Sequence, residues 1–160
     1  EQVTASFSNF TLSNDLTIDS LADPDHSLPD TMRKMLSLEI SAKIQNLALN
    51  YLEKENESVL KEVHELIEEA RSLNMKFSFG GTGRYFYAKL SDLIKAVSDV
   101  TDADEVRYIT GLISMADWLH LYINKTALEN QAFEIYQRFR QEPDGELKVL
   151  RPMFDWLNFE

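Results

Sequence analysis

The chain has no cysteine in its 160 residues. That excludes a disulfide framework, a thiol nucleophile and any cysteine-based metal site, and it agrees with the expected cytoplasmic location. Glycine and proline are scarce, at five and four residues, so few points punctuate the chain and long regular elements are expected. Basic residues are outnumbered 16 to 27, leaving a net charge of −11. With no basic stripe to neutralise phosphates, the composition argues against nucleic acid, and an anionic membrane surface is disfavoured for the same reason. No apolar run approaches the roughly 18 residues of a membrane span, and no signal-peptide core is present. The chain opens at Glu1 rather than at methionine, which suggests a processed product or a piece of something longer. One domain is the default at this length, and it can bury roughly 70% of its unfolded surface without a disulfide or a metal.

What glycine there is concentrates in one place. Residues 77–87 hold three of the five glycines, Gly80, Gly81 and Gly83, followed by Arg84. Backbone N–H groups at Gly81, Thr82 and Gly83, with Arg84 as a clamp, would suit an anion at a helix start. However, neither a GxxxxGK[ST] loop nor a GxGxxG dinucleotide fingerprint is present. The plainer reading is a turn between helices, with Gly80 or Gly81 at positive φ and Thr82 as N-cap.

Helical periodicity runs on both sides of this turn. Residues 1–28 stand apart, with Val3, Ala5 and Phe7 alternating with polar residues, which predicts an extended or partly β N-terminal arm or linker. From Pro29 two apolar stripes follow, one through Met32, Leu36, Ile40, Ile44, Leu47 and Tyr51 and one through Met35, Leu38, Ala42, Leu49 and Leu52. A helix apolar on two sides is expected at the centre of the core. Asn56 is a candidate cap for a second helix over 57–73, and a third is predicted over 83–99. Thr101 with Asp104 resembles a capping box opening a fourth helix over 102–121. Asn124 is the candidate cap of a fifth, running to 141 through Leu128, Phe133, Ile135, Tyr136 and Phe139. The aromatic segment 149–159 closes the chain, either docked on the body or forming a surface for a missing domain. The prediction is all-α: a five- to six-helix bundle over residues 29–160.

Residues able to do chemistry are few. The histidines are His26, His64 and His120; His64 with Glu68 and Asp117 with His120 have helical spacing for two metal ligands. A di-iron bundle needs Glu-x-x-His motifs, and none occurs, so neither metal nor cofactor is expected. No serine sits in a GxSxG elbow, and spacing alone names no carboxylate pair among the acidic residues. Trp118 and Tyr122, beside Asp117 and His120, form the constellation best suited to stacking and hydrogen-bonding a sugar ring. Sequons at Asn9, Asn56 and Asn124 do not imply glycosylation, since the last two double as helix caps.

Several strings carry a resemblance. Leu28-Pro29 opens a long apolar helix, residues 66–73 close the second, residues 130–136 follow Glu129 where a Gln would be expected, and Trp156-Leu157-Asn158-Phe159 ends the chain. Over residues 28–159 the chain resembles the C-terminal helical part of the uncharacterised domain attached to bacterial glycoside hydrolase family 57 proteins, which are amylase- or mannosidase-like. The resemblance implies a non-catalytic accessory domain, with the catalytic carboxylates on a preceding barrel that this chain does not contain. The implied partner is a catalytic domain of the same parent chain or another protein, with carbohydrate as a further possible ligand. The alternative is a free-standing helical protein-interaction module.

Overall fold

A computed structural model of the chain describes residues 29–97 and 102–159. The predicted N-terminal arm, Thr101, His26 and the sequon at Asn9 lie outside the described residues. Six α-helices make an all-α bundle: α1 (Asp30–Glu53), α2 (Glu57–Ser72), α3 (Thr82–Ala96), α4 (Ala103–Trp118), α5 (Lys125–Gln141) and α6 (Arg151–Trp156), the last preceded by a 3-10 turn at Glu146–Leu150. The described residues contain no strand. None of these helices is long and apolar enough to cross a membrane.

Local chemistry accounts for most of the boundaries. The Asn56 side chain accepts from Ser58 N–H at 3.0 Å and that of Asn124 from Ala127 N–H at 3.2 Å, as expected of N-caps. Asp102 caps α4 by accepting from Asp104 N–H at 2.9 Å. α2, α4 and α6 all end in Schellman motifs, with Asn74, His120 and Asn158 in the left-handed region at φ 53°, 50° and 62°. In α4, His120 N–H donates to Asp117 O and Leu121 N–H to Ala116 O. This stops the helix at Trp118, three residues short of the expected end. No glycine marks the spot, so the sequence pattern runs on past it.

The core is centred on α3 and α4, not on α1 as the two apolar stripes suggest. α3 packs against α1, α4 and α5, while α4 packs against α2, α3 and α6. Phe86, Leu90 and Ile94 of α3 meet Ile109, Leu112 and Met115 of α4 in the buried cluster. α1 buries one face only, through Ile40, Ile44, Ala48 and Tyr51. Its second stripe starts in solvent, with Met35 and Leu38 exposed. On α5 the inward positions are Leu128, Ala132, Ile135 and Tyr136, while Phe133 faces out. Buried polar groups are matched across elements: Ser91 Oγ donates to Gln131 Oε1 at 2.8 Å, and Gln45 Nε2 donates to Thr82 Oγ1 at 3.2 Å.

The closing segment docks on the body. Met153, Phe154 and Leu157 are buried, and the Phe154 ring lies 5.0 Å from Phe139 and 5.3 Å from Tyr136. Trp156 Nε1 donates to Asp117 Oδ1 at 2.8 Å, and Lys125 Nζ sits 4.1 Å from the Trp156 ring centroid. Truncating a phenylalanine packed this way costs about 3–5 kcal/mol.

Candidate functional site

Two stretches far apart in sequence meet at one cleft. The first is the irregular connection between α2 and α3. After the Schellman turn at Asn74, side chains alternate: Met75 buried, Lys76 exposed, Phe77 half-buried, Ser78 exposed, Phe79 buried. A period of two places Phe77 and Phe79 on one side, and their rings stack at 6.0 Å. Gly80 then takes φ 43°, one of the two positions proposed for a positive φ, and Gly81 caps α3 at φ −76°. The second stretch is the end of α4 and the turn after it, residues 118–122.

The glycine turn serves packing. Thr82 is the first residue of α3, 1% exposed and tied to α1, rather than its N-cap. Thr82 N–H donates to Phe79 O at 3.0 Å and Arg84 N–H to Gly81 O at 3.1 Å, so both amides are spent within the turn. A Cβ on Gly83 would stand 2.3 Å from the Tyr122 carbonyl oxygen. The negative end of that dipole therefore lies against Gly83, where an anion would be repelled. Arg84 folds back over Gly81, its Nη2 3.1 Å from where a Cβ on Gly81 would stand. Gly81, Thr82, Gly83 and Arg84 are thus contiguous, but none lines the cleft.

The second candidate group divides. Trp118, His120 and Tyr122 line the cleft, whereas Asp117 is held by the Trp156 indole. Trp118 and Tyr122 are not neighbours on one helix, because α4 ends between them. His64 packs its ring 4.6 Å from Trp118, and Glu68 pairs with Arg71 at 2.7 Å. The two helical spacings noted for metal ligands thus serve other contacts, and no group of three potential ligands occurs among the described residues.

The cleft has a volume of about 540 Å³. Its apolar lining includes Ile67, Phe77, Phe79, Trp118 and Leu121, and its polar side chains are Arg71, Lys76, Ser78, His120 and Tyr122. Although the chain carries net charge −11, no Asp or Glu among the described residues lines this cleft. Arg71 spans its edge, Nη1 on Glu68 and Nη2 donating to Trp118 O at 3.4 Å. Lys76 has no ion pair among the described residues. None of the backbone N–H groups of residues 76–81 donates to a backbone carbonyl among the described residues. A second recess, about 550 Å³, lies at the end of α5 among Arg138, Gln141, Glu142 and Glu146, and has mixed charge and no aromatic wall.

Tyr51 and Tyr108 are the strongly perturbed groups, and neither lines the cleft. Burial, then the Glu55 carboxylate, pushes both phenols up to about 12. Tyr108 Oη donates to the α1 C-terminal carbonyls, 2.6 Å to Leu52 O and 2.9 Å to Tyr51 O.

Sequence reasoning did not single out Arg71 or Lys76. The available signal was the alternation through residues 75–79 between two helices, with Lys76 as the outward cation. Comparison with protein-family models, with curated proteins and with solved structures finds no match for this chain.

Proposed function

We propose that this chain is a non-catalytic helical accessory or interaction domain that acts by docking, its cleft receiving a segment of a partner. The partner is a catalytic domain of the same parent chain or a separate protein. The observation that carries the reading is a run of amides along residues 76–81 that meet no backbone carbonyl among the described residues, beside an aromatic cleft that no described carboxylate lines. Such an edge offers main-chain pairing to an extended chain, with apolar walls for alternate side chains. The 149–159 segment is a poor candidate for the docking face, because Leu150, Met153, Phe154 and Leu157 are already buried in the bundle and Val149 is its one exposed large hydrophobic side chain.

Selection of random displayed peptides on the full chain tests this. Enriched peptides are expected to lose binding to Ser78→Trp, which fills the cleft, and to Tyr122→Ala, whose side chain is 92% exposed and not needed for folding. Peptides that bind all three proteins equally would place docking elsewhere.

A carbohydrate-active parent, as the family 57 resemblance implies, gives a second reading in which the cleft contacts glycan. The convergence of Trp118, Tyr122 and Phe77 favours it. Titration with linear α-glucan oligosaccharides, followed at the Trp118 and Trp156 indole N–H signals, decides it: saturable shifts at Trp118 are required.

A further inference from the structure

We infer that the occupant of this cleft is an extended, acidic peptide segment. The inference rests on the docking reading above and adds the chemistry of the partner. The charge pattern is the first reason. Among the described residues the cleft is lined by Arg71, which Glu68 pairs at 2.7 Å, by Lys76 and His120, and by no carboxylate, so Lys76 gives it a basic site in a chain of net charge −11. A complementary segment carries a carboxylate for Lys76.

The backbone is the second reason. Among the described residues the N–H groups along 76–81 meet no backbone carbonyl, and a peptide supplies such acceptors in register along the chain. Five residues at 76–80 span roughly 17 Å if extended, enough for a segment of about five residues. Alternate side chains of that segment would face the Phe77 and Trp118 walls, leaving a carboxylate between them for Lys76.

Neutral glucan is served less well. Sugar hydroxyls are bound by planar carboxylate and amide side chains. No Asp, Glu, Asn or Gln among the described residues lines the cleft, and Asp117 is already paired with Trp156.

The test uses the full 160-residue chain and three ten-residue peptides that alternate Val or Thr with Glu, with Gln or with Lys. Amide NMR titration should show saturable shifts at residues 76–81 and at Trp118 with the Glu peptide, weaker shifts with Gln and none with Lys. Lys76→Gln should weaken the Glu peptide about fivefold, and salt near 0.5 M should weaken it further. If the Glu and Gln peptides bind equally at the same amides, the acidic assignment falls while docking stands. If no peptide moves residues 76–81, this inference falls, and the display selection alone decides the docking reading. Displacement of the Glu peptide by equimolar pyrophosphate or oligothymidylate, with the same amides shifting, would also overturn it, since the cleft would then read charge alone.

Discussion

Gly83 and the carbonyl of Tyr122 are in direct apposition: a Cβ added to the glycine would meet that oxygen at 2.3 Å. This contact joins the start of α3 to the turn after α4. In a helix, alanine is ordinarily favoured over glycine by about 1 kcal/mol, but here the neighbour is backbone and cannot rotate away. Gly83→Ala is expected to lower stability by about 1–3 kcal/mol and to shift the amides of residues 118–122. Gly81→Ala meets only the flexible end of Arg84 and should change stability by less than about 1 kcal/mol. Urea unfolding of the two variants checks this; equal effects would contradict the assignment.

Tyr51 and Gly111 form the corresponding contact within the core. The Tyr51 hydroxyl is buried without a hydrogen-bond partner among the described residues, and a Cβ on Gly111 would lie 1.9 Å from it. Gly111 is therefore the notch in α4 that admits the phenol. Removing the hydroxyl in Tyr51→Phe should stabilise by about 1 kcal/mol, since an unsatisfied buried group carries its desolvation cost. Gly111→Ala should destabilise by about 1–3 kcal/mol, and less in the Tyr51→Phe background. An additive double-mutant cycle would rule the contact out.

The same tyrosine governs alkaline behaviour. Tyr51 and Tyr108 have pKa values raised from 10.0 to about 12, first by burial and then by Glu55. For an acid whose folded pKa is raised, the neutral form is favoured by folding. Its contribution is therefore complete below pH about 10 and is lost as pH climbs through about 12. Ultraviolet titration should show two tyrosines ionising near pH 12, together with loss of helix. Glu55→Gln should move both late ionisations to lower pH; no movement would remove Glu55 as a cause.

His120 holds a left-handed conformation at φ 50° on the cleft wall. A side chain costs about 1–2 kcal/mol there relative to glycine. His120→Gly is expected to raise thermal stability while weakening the acidic peptide, a trade-off typical of a residue kept for its side chain. A stabilised variant with undiminished binding would show that His120 serves only the turn.

Much of the fold is legible in the sequence because helices are specified by neighbours. Asn56 and Asn124 act as caps through atoms two or three residues away, and periodicity places α2, α3 and α5 to within a few residues. The candidate site was legible only in halves. Trp118, Tyr122 and the glycine turn could be singled out, but not their meeting.

Composition and periodicity by themselves determined an acidic, cysteine-free, all-α chain, since charge, redox chemistry and the 3.6-residue repeat are properties of local strings. Only the tertiary structure decided that α3 and α4 form the centre and that Met32, Met35 and Leu38 of α1 are left exposed. It also decided that Asp117 serves Trp156 and that residues 75–80 face residues 118–122. Those outcomes depend on which backbones can approach closely across some 40 residues of chain. That is settled by Gly83 and Gly111 packing against particular partners, a property of the pair and not of either residue alone.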